Sequence, residues 1–244
     1  MYREHSPPPP LAEAIECFWT NDTPEVGPAE HRVMPDGAID IVFAYEGDEV
    51  VSANVVGTMT TALVVPALTT RYAGVRFLPG AAAAVLGIAA CDVTDRQVPV
   101  TDLWPRVNVH ELRDPMALLR ARGWHGGAPP RDVAAAVAAI RQSRGTLKVS
   151  ELGPRLGVSR QQLARRFAET VGVAPKVFAR IVRFQTVMRR AQRGAPDWSA
   201  LAHGLGYADQ AHLVNEFRAL TGVTPTAWFQ TWFQTSKTAT PPSA

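Results

Sequence analysis

The sequence predicts an α+β protein in two parts: a small, mainly-β N-terminal domain with flanking helices, then an all-α double helix-turn-helix domain. Three observations predict it. Runs of β-branched and aromatic residues, separated by turn signals, occupy residues 31–77 and then stop. A stretch punctuated by Gly and Pro, Gly123 to Pro130 (GWHGGAPP), divides that half from one whose pattern is helical almost throughout. Charge also changes sign there. Residues 1–130 carry nine Arg, no Lys and sixteen acidic residues, a net charge of −7, whereas residues 131–244 carry sixteen basic and six acidic residues, a net +10. The expected division is 1–126, 127–234 and a flexible tail at 235–244.

With 244 residues, 46% of them hydrophobic and 19% charged, the chain can build real cores. No apolar run approaches the ~20 residues of a membrane span, and MYREHSPPPP lacks the apolar core of a signal peptide. A soluble, cytoplasmic protein without membrane contact is expected. Cys17 and Cys91 are too few for a disulfide framework or a CxxC metal site.

Taken in order, Pro7–Pro10 is a stiff lead-in to a short helix, Leu11 to Trp19, with Leu11, Ile15, Phe18 and Trp19 on one side. Strands are expected at Ile39–Tyr45, Val50–Val56 and Tyr72–Phe77, with a turn at Pro35-Asp36-Gly37 and a hairpin loop at Glu46–Asp48. Ala81 to Leu86 reads as a small packed helix, Asp102 to Pro105 as loop and Glu111 to Arg122 as a helix. Past the linker, Asp132 is placed to cap a helix running to about Ser143, with Val133, Val137 and Ile140 on its buried stripe.

Two short helical pairs follow. In the first, Ser150 is placed to cap Glu151–Leu156, Gly157 to stop it with a positive φ, and Ser159 to cap SRQQLARRFAETVG. Leu163 and Phe167 must face a core, which leaves Arg160, Gln161, Ala164, Arg165 and, towards one edge, Arg166 outside. In the second pair, Ser199–His203 forms the short helix, Gly204 and Gly206 punctuate the turn and Asp209 caps DQAHLVNEFRALTG. Leu213, Phe217 and Leu220 are its buried stripe, and Gln210, Ala211, His212, Val214, Asn215 and Arg218 remain outside.

Helix, glycine-containing turn, helix is the helix-turn-helix pattern. The two copies are offset by 50 residues at Leu163/Phe167 and Leu213/Phe217, and each ends in Gly-Val-x-Pro. Pro175 to about Gln192 forms a helix between them. At ~1.5 Å per residue it spans roughly 27 Å, approaching the ~34 Å turn that separates major-groove segments on one face of DNA. Arg and Gln match guanine and adenine edges in that groove. The basic half therefore suits nucleic acid, against the plainer alternative of a solvated basic face. Gln161 and Arg165 are expected to read bases from the first unit, and Gln210, His212 and Asn215 from the second. Arg180, Arg183, Arg189 and Arg190 remain for solvent or phosphate, with Arg183, Arg190 and Arg218 favoured for phosphate.

These residues carry a resemblance. LGVSRQQLARRFAETVGVAPKVFARIVRFQ and the more specific GYADQAHLVNEFRALTGVTPTAW are similar to the AraC/XylS family of bacterial transcriptional regulators over about residues 131–233. The resemblance implies sequence-specific binding of double-stranded promoter DNA, with recognition helices at Ser159–Thr170 and Asp209–Thr221. Asn215 stands where the family often has Arg, and Gly153-Pro154 interrupts the first helix, so that helix is expected to begin late or bend.

PPPPLAEAIECFW, MPDGAIDIVF, GVRFLPGAAAAVLG and VTDLW more weakly resemble the small N-terminal sensing or dimerising domain of a subset of these regulators. His31, Asp36, Asp40, Arg71, Arg76 and the Trp residues are candidates for a pocket around a small polar or aromatic effector. The alternative is a turn at Asp36-Gly37, an ion pair at Arg76 and aromatics in the core. Beyond promoter DNA, RNA polymerase, such an effector and a second copy of the chain are the candidate partners. The sequence has no HExxH, no Gly-rich phosphate loop and no Gly-x-Ser-x-Gly elbow, so no catalytic, cofactor or metal residue is assigned. Two other readings stay open: a DNA-docked enzyme such as an alkyl-transfer repair protein using Cys17 or Cys91, and a redox regulator in which the two pair.

Overall fold

The computed structural model describes residues 2–22, 30–66, 71–108, 115–121, 127–194 and 196–238. Its N-terminal half is a six-stranded antiparallel sheet in the order β1-β2-β7-β4-β5-β8, beside a two-stranded ribbon, β3-β6. The strands are β1 Tyr2–His5, β2 Ile15–Asn21, β3 Glu30–Val33, β4 Asp40–Glu46, β5 Glu49–Val56, β6 Leu63–Pro66, β7 Arg71–Phe77 and β8 Gln97–Pro99. The three strands expected from β-branched texture are present as β4, β5 and β7, and Gly47-Asp48 closes the β4–β5 hairpin. Ile41, Phe43, Val55, Val75 and Phe77 are fully enclosed between the sheet and helices α1 (Ala82–Leu86), α2 (Val100–Leu103) and α3 (Pro115–Ala121).

Two elements of this half differ from expectation. The stretch Leu11–Trp19 is not a helix: a 3-10 turn at Pro9–Leu11 leads into strand β2. The apolar spacing fits a helix, but β1 and β7 supply a backbone ladder on both sides of β2, opposite Glu4 and Gly74 at Trp19. A Cβ at Gly74 would overlap the Trp19 ring, so this register depends on glycine there. Asp102 is helical rather than loop, because Val100, wholly buried after Pro99, starts a turn that closes with the Trp104 N–H on the Val100 carbonyl at 2.8 Å. Of the helix expected at Glu111–Arg122, residues 111–114 and 122 lie outside the described residues, as does 122–126 around the linker.

The helical half contains α4 Arg131–Gln142, α5 Leu152–Leu156, α6 Arg160–Val171, α7 Pro175–Ala191, α8 Trp198–Gly204, α9 Gln210–Thr221 and α10 Pro225–Thr238. The last reaches four residues into the stretch expected as a tail; 239–244 lie outside the described residues. No helix among the described residues is long and apolar enough to cross a membrane.

Helix α7 belongs to two cores at once. Phe178, Ala179 and Val182 pack with α4, α5 and α6, while Ile181, Phe184, Val187 and Met188 pack with α8 and α9. Each recognition helix sets one Phe edge-on against a Phe of α7: Phe167 on Phe178 at 5.5 Å and Phe217 on Phe184 at 5.2 Å between ring centres. The 50-residue repeat is thus a packing repeat, with α7 as its shared spine.

Candidate nucleic-acid interface

Each recognition helix starts at a capped N-terminus. Ser159 Oγ accepts the Gln162 N–H at 3.1 Å while Gln162 Oε1 accepts the Ser159 N–H at 3.0 Å, a reciprocal capping box. Asp209 Oδ1 accepts the His212 N–H at 2.7 Å. Gly157, Gly172, Gly206 and Gly222 all have positive φ, the conformation the turns require. Of the two short helices, the first differs from expectation in its cap. Ser150 caps nothing: Val149–Glu151 is a 3-10 turn, and α5 begins late, at Leu152, with Pro154 in its first turn where no N–H donor is needed. Helix α8 is capped by Asp197, which accepts the N–H groups of Ser199 and Ala200 at 2.9 and 3.0 Å. Asp132 does not cap α4, whose cap position is Pro130; it sits in the first turn and binds Arg166 at 2.7 Å.

The cap Ser159 and the outer-face residues Arg160, Gln161, Arg165, Arg166, Gln210, Ala211, His212, Asn215 and Arg218 are exposed, whereas Ala164 and Val214, also expected on the outer faces, are half-buried. They are not equally free. Arg165, with its side chain 71% exposed, lies 4.0 Å from Glu169, a contact water screens. Arg166 turns away to Asp132, and that hydrogen bond holds the Asp132 carboxyl below the usual carboxylate range. His212 Nδ1 accepts the Ala208 N–H at 3.3 Å, and its ring stands edge-on to Tyr207 at 5.3 Å.

Arg183 is not a phosphate contact waiting on the surface. Its guanidinium donates to both oxygens of Glu216 at 3.1 Å and lies 4.4 Å over the Tyr207 ring. Arg180 donates to the same carboxylate at 3.2 Å. A helical wheel of α7 puts both arginines outside, but Glu216, itself buried on α9, draws them in. Burial first, and the Glu216 charge second, push the Tyr207 hydroxyl upward and keep it protonated. The network fixes α9 on α7.

A groove of about 840 Å³ opens between the two units, with His212 and Asn215 on one wall and Lys148 and Lys176 on the other. Sequence reasoning did not single out these lysines. Their rarity was the available signal: with Lys237 they are the chain's only three.

Among the effector candidates, the structure brings Asp36, Asp40, Arg76 and Trp19 together and leaves Arg71 apart. Arg76 reaches Asp36 at 3.1 Å, Asp40 at 3.3 Å and Glu4 at 3.9 Å, and Trp19 Nε1 donates to Asp40 at 2.7 Å. Burial pushes the Asp40 carboxyl up to about 7, against the opposing pull of Arg76. Asp36 also accepts the Ala38 N–H at 3.0 Å, so the turn and the ion pair are both present. Arg71 instead meets Asp48 at 3.6 Å and stacks on Tyr45. Trp104 is in the core, and the His31 side chain lies outside the described residues. Glu4, Asp36 and Arg76 face Arg141, Gln185 and Arg189 across a cleft of about 450 Å³ between the sheet and the helices.

Cys17 is buried and Cys91 exposed, and both are free thiols. Burial pushes the Cys17 thiol up to about 11, the wrong direction for an alkyl acceptor or a thiolate switch.

Residues 152–231 match a family described as a helix-turn-helix domain, and residues 3–99 match a domain of unknown function, DUF6597. A putative AraC-like transcription regulator from Streptomyces antibioticus is 31% identical over 120 residues, which is 49% of this chain and 39% of that protein. Another, from Streptomyces lividans, is 29% identical over 120 residues, covering 49% and 38%. The chain therefore spans about two fifths of the length of these relatives. An apo ToxT variant from Vibrio cholerae strain SCE256 superimposes over 88% of this chain and 97% of its own, with a TM-score of 0.49 at 10% identity. With its capped, duplicated helix-turn-helix units, the helical half of the chain is similar to these AraC-like transcription regulators and matches the helix-turn-helix domain family.

Proposed function

We propose that the chain is a cytoplasmic, sequence-specific regulator that inserts α6 and α9 into successive major grooves of promoter DNA. The observation that carries this reading is the seating of two capped helices, polar on their outer faces, in matching positions on the single spine α7. Arg160, Gln161 and Arg165 supply the first reading surface, and Gln210, His212, Asn215 and Arg218 the second. Lys148 and Lys176, rimming the groove between, suit the phosphates that lie between two major-groove segments. One chain presents both readers, so the reading needs no dimer. The functional division falls at 126/127, with the acidic half as the regulatory domain. The cleft at Arg76, lined by both acids and arginines, suits a small polar effector.

Selection of bound sequences from a random DNA library, with full-length protein at two salt concentrations, tests this. The expected result is a motif of two half-elements about one helical turn apart, with weaker non-specific retention at the higher salt. No enrichment at either salt contradicts it.

A further inference from the structure

The last carbonyls of a helix have no partner within it. In this chain the N-terminal half supplies partners to both recognition helices. At the end of α6, Thr58 Oγ, fully buried, donates to the Val171 carbonyl at 2.5 Å, and Thr94 Oγ donates to the Gly172 carbonyl at 2.6 Å. At the end of α9, the Ala62 N–H donates to the Leu220 carbonyl at 2.6 Å, and Arg32 reaches the Thr221 carbonyl at 3.5 Å. Thr58 and Ala62 are four residues apart, a span of at most about 14 Å of extended chain. One short strap therefore touches the ends of both readers.

The strap is itself braced. Gly57 N–H donates to the Arg96 carbonyl at 3.0 Å, Asp95 N–H to the Thr58 carbonyl at 3.2 Å, and both the N–H and the hydroxyl of Thr60 to the Asp95 carboxylate at 2.6 Å. Its approach to α6 is close enough to require glycine: a Cβ at Gly172 would come within 2.9 Å of Thr94 Oγ and 3.1 Å of Thr58 Oγ. Two further contacts tie the same half to the spine, Gln185 donating to the Pro35 carbonyl and Gly37 lying against the Phe178 ring.

We infer that the segment 58–62, with Thr94 and Arg32, positions the two recognition helices relative to each other and so sets the spacing between half-elements that the chain accepts. The inference rests on the two-reader function. Its mechanical part does not, because the separation of the helices can be measured without DNA. The shared spine α7 holds the inner faces of α6 and α9; the strap holds their far ends, where a small change in tilt moves the N-terminal reading residues most.

The test uses the full chain with Cys91→Ser, Gln161→Cys and Ala211→Cys, spin-labelled at the two new thiols, and pulsed dipolar spectroscopy. One narrow distance distribution is expected. Thr58→Val with Thr94→Val keeps the shapes and removes the donors, and should at least double the width of that distribution. Arg32→Met, which loses the long contact to Thr221, should broaden it less; it serves as the readout should the double variant unfold on heating below the assay temperature. A distribution unchanged in width in every folded variant overturns the inference. In a second arm, without labels, one base pair is inserted or removed between the half-elements of the selected site. The native chain should lose at least tenfold in affinity, and the Thr58→Val, Thr94→Val chain at most threefold. Equal losses overturn the spacing role. If no DNA is selected at all, the two-reader function fails while the distance measurement still decides the mechanical claim.

Discussion

The two helix-turn-helix units share a scaffold and differ in how they are held and what they show to solvent. In the first, the recognition helix is tied to α4 by an ion pair at the surface, Arg166 to Asp132, and its outer face carries Arg160 and Arg165 beside Gln161. In the second, the tie is a buried carboxylate, Glu216, gripping two arginines of the spine, and the outer face is mostly neutral, Gln210, His212 and Asn215, with Arg218 alone charged. Under the proposed function this difference amounts to a division of labour: the surface tie would leave the α6 arginines available to DNA, whereas α9, with its neighbouring arginines withdrawn inward, would read through amides and an imidazole. The first unit should dominate salt-dependent affinity and the second should contribute discrimination.

The sharpest test of their common scaffold is the edge-on Phe pair. Phe167→Ala and Phe217→Ala should each destabilise the chain by about 3–5 kcal/mol in denaturant unfolding. A cost in one several-fold smaller than in the other would break the equivalence of the two cores. The ties should separate the units instead. Glu216→Gln orphans Arg183, which is mostly buried, and should cost roughly 3 kcal/mol, whereas Arg166→Ala breaks a surface pair and should cost only about 0.2–1 kcal/mol. Equal costs would mean that burial does not distinguish the two ties.

These ties mark where the sequence stops being legible. The recognition helices, their caps Ser159 and Asp209 and the glycine stops were readable because a cap and a turn are settled within four residues of chain. The core stripes were readable because 3.6-residue periodicity is local. The roles of Arg180 and Arg183 were not, because a carboxylate more than thirty residues away decides them. Strand β2 failed for a like reason: Leu11, Ile15, Phe18 and Trp19 have helical spacing, and only the ladders to β1 and β7 make the segment extended. Ser150 and Asp132 carried plausible capping chemistry at positions where the helices begin elsewhere. Thr58 and Thr94 carry no local signal at all, since a hydroxyl in a loop acquires its meaning from the helix end it meets. The charge asymmetry indicated a polyanion partner, yet it did not say which arginines face outward.

Smaller effects extend the comparison. Ser159→Ala and Asp209→Ala should each cost about 1 kcal/mol, with Ser159→Ala also releasing Gln162 from its return bond to the backbone; thermal unfolding checks both. The first unit should show acid sensitivity through its tie. Because Arg166 lowers the folded-state pKa of Asp132, that pair contributes stability above the ordinary carboxylate value near 4, and the contribution is lost as pH falls through the folded value. Asp132→Asn should therefore flatten the acid limb of the stability profile and leave the neutral limb little changed apart from the lost pair.

The most direct test of two readers on one spine is to measure, base pair by base pair, the affinity of the selected site for the native chain, Arg165→Ala and Asn215→Ala. Each variant should lose roughly 1–3 kcal/mol of discrimination at its own contact. The relaxed positions should fall in different half-elements, about one helical turn apart. Relaxation of the same half-element by both variants, or of neither by either, would contradict it.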